Sequence, residues 1–200
     1  MTHSLHSPFV VFALPRSRTA WLANYLNAGG KYPVGHDITI ECNSTEDFFQ
    51  SYANGMRGTV ETGSMMAWRL MLQRIPDLKI LLIRRPLDEV KRSLLQFGIE
   101  PASGELEARE EILNFLETLP SVDSIEFRDL YIAQCRKWVW DTLLGEEWEP
   151  VWDSALAPIN IQIDMQARLE QLHRRYEPLV TLKAEIIELQ SRLPVCNTLN

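Results

Sequence analysis

Apolar positions along the chain gather into short unbroken runs, separated by stretches whose apolar residues recur at helical spacing. Phe9-Val-Val-Phe-Ala-Leu14 is continuous, β-branched and aromatic, as a strand buried on both faces requires. Pro15 ends it. From Ser17 or Arg18 onward Trp21, Leu22, Tyr25 and Leu26 share one helical face, until Ala28-Gly-Gly30 stops the pattern. A second short strand is expected within residues 32–40, ending near His36-Asp37. Ser44 is placed to cap a helix from Thr45, with Glu46 and Asp47 in its first turn. A strand at Thr59-Val-Glu61 and a helix over Ser64–Arg74 follow. Lys79-Ile-Leu-Leu-Ile83 is the clearest strand, and it leads straight into Arg84-Arg85-Pro86 and a helix over Leu87–Phe97. Beyond it the pattern predicts an acidic amphipathic helix over Glu105–Leu119, a strand over Ser124–Phe127 and a helix over Ile132–Leu144. Gly145–Pro158 is expected to be a Trp-rich connection, and Asp164–Leu193 a long helical stretch interrupted at Pro178. Strands alternating with helices predict a three-layer α/β domain, a small parallel sheet flanked by helices. One domain is expected over residues 1–200, with a helical C-terminal segment from residue 160.

Composition narrows the functional classes. A formal net charge of −7 on 200 residues argues against a general nucleic-acid binder, and no run reaches the roughly 20 apolar residues a membrane span needs. Met1–Pro8 lacks the basic and apolar regions of a signal peptide, and the three cysteines show no metal-ligand spacing. A reducing cytoplasm is the expected home, and no metal is expected. Acidic overall charge does not exclude a small anionic ligand, for which a local cluster of donors suffices.

Two such clusters stand at the carboxyl ends of the two clearest strands, where ligands of parallel α/β sheets bind. The first is Pro15-Arg16-Ser17-Arg18-Thr19-Ala20, between strand and helix. A loop feeding a helix N-terminus offers backbone N–H groups and a positive dipole end, to which Arg16, Arg18, Ser17 and Thr19 add side-chain donors. The plain alternative is a turn whose arginines are merely solvated. Phe12-Ala-Leu-Pro-Arg-Ser-Arg-Thr-Ala-Trp-Leu22 resembles the phosphosulfate-binding loop of sulfotransferases, a Pro-Arg/Lys-Ser-Gly-Thr-Thr/Ser pattern followed by Trp or Leu. The resemblance implies a P-loop NTPase-like fold. It also implies that Arg16, Ser17 and Thr19 contact the 5′-phosphosulfate of 3′-phosphoadenosine 5′-phosphosulfate (PAPS), with Trp21 near the adenine. Arg18 stands where that family has Gly, and Ala20 where it has a hydroxyl. A nucleotide-hydrolysing loop would instead need Lys and a magnesium-binding Ser/Thr, where this chain has Arg18-Thr19-Ala20.

The second cluster, Lys79–Asp88 followed by a helix bearing Ser93, resembles the 3′-phosphate-binding segment of sulfotransferases: a strand, Arg-Asp/Asn-Pro, an acidic residue and a helical Ser. Arg84, Pro86 and Asp88 match its spacing. Ser93 falls one residue late relative to Arg84, so either Ser93 pairs with Arg85 as the anchor or Arg92 takes the phosphate contact. Ile125-Glu-Phe-Arg-Asp-Leu130 is a weaker echo of a Tyr-Glu-Asp-Leu element, equally readable as a strand end capped by Asp129. The likeness covers roughly residues 9–150 and is to short sulfotransferase-like proteins of bacteria and phages. The Gly-rich basic segment that many sulfotransferases carry near the C-terminus has no counterpart.

Sulfuryl transfer to a hydroxyl or amine of a small-molecule acceptor needs a base and a cation on the bridging oxygen. Arg16 is the electrostatic candidate, His36 oriented by Asp37 the first candidate base, and Glu61 the second. A small-molecule kinase and a catalytically silent nucleotide- or anion-binding protein are the alternatives. Trp138, Trp140, Trp148 and Trp152 suggest either an acceptor pocket or packing onto the sheet. Leu169, Leu172, Tyr176, Leu179, Ile186, Leu189 and Leu193 suggest either a homodimer seam or core packing.

Overall fold

The structure, a computed structural model, describes residues 7–29, 33–145 and 147–161, together with helical positions 170, 174, 177 and 183. The chain divides into two compact units, Met1–Ile161 and Gln162–Asn200. In the second, Arg174 pairs with Glu170 at 3.6 Å, one helical turn apart. The expected break at Pro178 and the expected dimer seam lie outside the described residues.

The first unit is an α/β fold of the P-loop type, built on a five-stranded parallel sheet in the order β2-β3-β1-β4-β5. Its strands are β1 (Phe9–Ala13), β2 (Val34–His36), β3 (Gly58–Glu61), β4 (Lys79–Arg84) and β5 (Val122–Glu126). All pairings are parallel, with Phe12 opposite Glu61 on one side of β1 and Leu82 on the other. Every residue of β1 is fully buried, because β1 is the central strand and is covered on both faces. Phe9, Val11 and Ala13 join Leu81 and Ile83 against α1 (Thr19–Gly29). Val10 and Phe12 join Ile80 and Leu82 on the opposite face. That face is packed by residues of α2 (Thr45–Ala53), α3 (Trp68–Arg74), α4 (Leu87–Gln96) and α5 (Glu105–Glu117). The α1 face is completed by α6 (Ala133–Leu143), with Trp140 in its core.

Local chemistry explains several element ends. Ser44 accepts from the Asp47 N–H at 3.1 Å while the Asp47 carboxylate accepts from the Ser44 N–H, a reciprocal cap on α2. The helix expected over Ser64–Arg74 is a 3₁₀ turn, Ser64–Ala67, followed by α3. Asp129 does cap the strand end: its carboxylate accepts from the Glu126 N–H at 3.0 Å. The expected connection over Gly145–Pro158 contains a helix, α7 (Pro150–Leu156), opened by Pro150 at a position where a missing N–H costs nothing. What fixes α7 is Asp153. Its carboxylate accepts from Arg136 Nε and from Nη2 at 2.8 Å, and from the Tyr25 hydroxyl at 2.9 Å. Trp148 Nε1 in turn donates to that hydroxyl. The tryptophans do not form one pocket. Trp140 is buried, Trp148 packs against the α1 face, and Trp138 and Trp152 are exposed.

Candidate functional site

From β1 the chain passes to β2 on one side, and from β4 to β5 on the other. The carboxyl ends of β1 and β4, adjacent in the sheet, therefore form a topological switch point, the crevice where open α/β sheets bind ligands. Both arginine-bearing loops open there.

In the first loop the side chains turn on backbone strain. Arg16 and Arg18 both hold left-handed conformations, φ 66° and 60°. Arg18, at the position where the resembled loop carries Gly, is thus left-handed, at a cost of about 1–2 kcal/mol for a residue with a Cβ. The Arg18 carbonyl accepts the first helical bond, from Leu22 N–H at 2.8 Å, so α1 starts at the loop itself. Ser17 is completely buried, and its hydroxyl has no hydrogen-bond partner among the described residues. The Thr19 hydroxyl lies 3.1 Å from His36 Nε2.

The second loop locks onto the first. Strand alternation sends Leu82 and Arg84 to the α4–α5 face and Ile83 and Arg85 to the α1 face. Arg84 accordingly reaches Asn114, by a hydrogen bond, and Glu117, at 3.6 Å, both on α5. Arg85 donates through Nη1 to the Arg16 carbonyl and lies over the Phe127 ring at 4.3 Å, with Glu89 at 3.6 Å. On α4, Ser93 faces the crevice and accepts from Arg16 Nε at 3.3 Å. Arg92, one residue earlier, points to solvent and pairs with Asp88 at 2.9 Å.

The site holds a surplus of cationic donors. Among the described residues neither Arg16 nor Arg18 has a carboxylate partner; each rests on aromatic rings, Arg16 on Phe97 at 3.7 Å and Arg18 on Trp21 and Tyr131 at 4.0 and 4.3 Å. Burial and, second, the neighbouring Arg85 push the Arg16 pKa down. Arg18 Nη1, Arg84 Nη1 and Arg85 Nε are buried without hydrogen-bond partners among the described residues, as is the Ser17 hydroxyl. Donors lacking acceptors, around cations that repel one another, suit a polyanion. Sequence pattern does not single out the rings Phe97, Phe127 and Tyr131. Phe97 follows Ser93 by one helical turn, the one local cue to them.

The remaining candidates sit nearby in different states. His36 ends β2, half-buried, with Nε2 3.4 Å from Asp37 Oδ2. Asp37 is itself buried and left-handed at φ 47°, and accepts from the Thr62 N–H at 2.6 Å and the Thr62 hydroxyl. Gly35 lets this turn close, since a Cβ there would stand 2.3 Å from Ile38 Cγ2. Glu61 is fully buried and encased: its carboxylate accepts from the Ile38 N–H at 3.0 Å and from the hydroxyls of Thr59 and Thr39 at 2.6 and 2.9 Å. Burial first, and the Asp37 charge, raise its pKa. Trp21 is buried beneath Arg18, stacked on Tyr25 at 4.8 Å, with Nε1 donating to the Leu156 carbonyl at 3.0 Å. Ala20 is half-buried beside it. Beyond Thr39 and Ser64 opens a cleft of about 400 Å³, walled by Phe48, Phe49, Met66 and Met71 and lined by no Asp, Glu, Lys or Arg. Among the described residues no helix is long and apolar enough to cross a membrane.

No family model matches the chain, and no curated protein matches it in sequence. A solved structure does share its fold. A mouse sulfotransferase, SULT7A1, complexed with PAP, superposes with a TM-score of 0.53 at 15% identity, over 77% of this chain and 64% of that one. The chain thus spans under two thirds of that protein's length. A gluconokinase from Sinorhizobium meliloti 1021 matches at 12% identity over 70% of this chain and 90% of that one, with a TM-score of 0.47.

Proposed function

We propose that this protein binds PAPS in the crevice between β1 and β4 and transfers its sulfuryl group to a hydroxyl or amine of a small acceptor. The observation that carries the proposal is the fusion of the two anion loops: Arg85 holds the Arg16 carbonyl, Arg16 holds Ser93, and buried donors on Ser17 and Arg18 beside them await acceptors. Ser17, Thr19 and the α1 N-terminus would cradle the 5′-phosphosulfate. Arg85 with Ser93, rather than exposed Arg92, would take the 3′-phosphate. When bound, PAPS supplies an electrophilic sulfur whose bond to the phosphate oxygen breaks as the acceptor oxygen bonds to it. Arg16 stabilises the charge left on that phosphate oxygen. His36, at the loop and backed by Asp37, takes the acceptor's proton, whereas Glu61 has its oxygens engaged by three donors. The uncharged cleft beyond Thr39 and Ser64 gives an acceptor space of suitable size. Against a kinase stand the absent Walker lysine and Ala20 in place of the magnesium-binding hydroxyl.

Calorimetric titration with adenosine 3′,5′-bisphosphate, with magnesium–ATP as control, tests the proposal. Binding that Arg85→Ala weakens at least about tenfold, one charged hydrogen bond's worth, with no heat from ATP, is the expected result. Binding of ATP alone would hand the site to the kinase alternative.

A further inference from the structure

The cleft beyond Thr39 and Ser64 has apolar walls and two hydroxyls withdrawn from water. Phe48, Phe49 and Met71 are buried walls, while Ser44 and Thr45 are exposed, so solvent satisfies their hydroxyls. Thr39 is half-buried and Ser64 buried. No charged side chain lines the space.

Glu61, fully buried and not itself part of the lining, sets the direction of the Thr39 hydroxyl. Thr39 donates its proton to Glu61 Oε2 at 2.9 Å. A hydroxyl has one proton and two lone pairs, and a carboxylate only accepts, so the proton points away from the cleft and a lone pair is left facing it. The other oxygen holds the carboxylate in place: Oε1 accepts from the Ile38 N–H at 3.0 Å and from the Thr59 hydroxyl at 2.6 Å. Thr59 and Glu61 lie two residues apart on β3, on one face of the strand, so this orientation is built into the sheet. Burial and the Asp37 charge oppose the charged carboxylate, and the hydroxyls of Thr59, Thr39 and Ser64 favour it.

We infer that Glu61 is a specificity-determining positioning residue: by holding the Thr39 proton it makes the cleft a hydrogen-bond acceptor, selecting an uncharged apolar molecule that carries an N–H or O–H donor. With the cleft as the acceptor's place in the reading above, this names the acceptor's class. Ethers, ketones and pyridine-type nitrogens have only lone pairs to offer and meet another lone pair. An ammonium ion finds no carboxylate in the lining to offset its lost hydration. The donor anchors the molecule whichever of its groups reacts.

Glu61→Gln inverts the device. The amide oxygen takes the place of Oε1, where two donors converge, so the amide NH2 takes the place of Oε2 and donates to Thr39. The Thr39 proton then turns into the cleft. Indole, which only donates, and quinoline, which only accepts, are flat bicyclic probes of nearly equal size. Each is titrated calorimetrically at pH 8, which favours the charged carboxylate, into the full chain, Glu61→Gln and the isosteric Thr39→Val. The native chain is expected to prefer indole about tenfold, the effect of one hydrogen bond whose loss strands a buried group. Glu61→Gln is expected to prefer quinoline, and Thr39→Val to show no preference. Loss of structure would weaken both probes alike, so only a change in their ratio counts. A ratio that Glu61→Gln leaves unchanged, a native preference for quinoline, or no binding of either probe to any form at millimolar concentration overturns the inference. Adenosine 3′,5′-bisphosphate is titrated separately: a reversed ratio without its binding keeps the oriented cleft and refutes PAPS as the co-substrate.

Discussion

The buried pair Arg136–Asp153 ties the elements behind the site together, and breaking it has a calculable cost. The two residues are 6% and 5% exposed, and they share two hydrogen bonds, Nε to Oδ1 and Nη2 to Oδ2 at 2.8 Å. Asp153→Ala would leave a guanidinium inside with no carboxylate, held by the Leu130 carbonyl at 3.2 Å and the Tyr25 hydroxyl, and would strip that hydroxyl of its acceptor. Removing one partner of such a pair costs about 3–5 kcal/mol, against a total stability of roughly 5–15 kcal/mol for a domain. Replacing both partners by apolar residues, Arg136→Met with Asp153→Leu, is expected to recover most of the loss, because no charge is then stranded. Urea unfolding followed by circular dichroism at pH 7 measures both. The pH dependence provides a second check. Hydrogen bonds from Arg136, more than Tyr25, hold the Asp153 carboxyl below its ordinary pKa. A carboxyl depressed on folding contributes stability that is complete above its unfolded pKa and is lost as pH falls through the folded one. The gap between native chain and Asp153→Ala is therefore expected to be level from pH 8 to 5 and to close below the ordinary carboxylate range. A loss under about 1 kcal/mol at pH 7, the size of an exposed pair, or a double variant no better than the single one, would refute the reasoning.

Two further predictions test the site's polar interior. Glu61 has its pKa raised by burial, so its protonated form is the one the fold favours; that stability is present below the unfolded pKa and lost as pH rises through the folded value. Glu61→Gln imitates the protonated state, and its urea midpoint should gain on the native chain between pH 4.5 and pH 8; a gap that does not widen with pH would count against the assignment. Ser17 carries a buried hydroxyl with no hydrogen-bond partner among the described residues, so Ser17→Ala should leave the melting temperature level or higher. The same variant should weaken adenosine 3′,5′-bisphosphate about tenfold, the loss of one hydrogen bond to a charged group; unchanged affinity would remove Ser17 from the anion cradle.

How much of this was legible in the sequence depends on how local its cause is. β1 and β4 announce themselves because a central parallel strand is buried on both faces and so must be apolar throughout. β5 lies at the sheet edge with Asp123 and Ser124 exposed, and its pattern is correspondingly faint: the expected strand began two residues late. α7 looks like a connection in the sequence because its seven residues carry little periodicity, and its anchor, Asp153, meets Arg136 and Tyr25 from elsewhere in the chain.

The site divides along the same line. Placing arginines at two strand ends needs only the order of residues, but choosing between Arg84 and Arg85 needs the strand's end point. β4 runs through Arg84, so Arg84 shares a face with Leu82 while Arg85 follows Ile83 toward α1 and the first loop. Alternation of two residues per repeat, counted from Leu82, gives the direction of each, and Ser93, eight positions after Arg85, meets the same loop as Arg85 does. Helical spacing settles Arg92 and Ser93 in the same way, since adjacent helical residues point about 100° apart and only one can face the crevice. The rings beneath the arginines have no such local signal. Phe127 and Tyr131 lie 42 and 113 positions from Arg85 and Arg18, and only the sheet order, which sets β5 beside β4, brings them to the loops. An arginine that looks from sequence like a free anion ligand is, once folded, a cation already stacked on a ring. A ligand of the proposed anion site would have to compete with that ring.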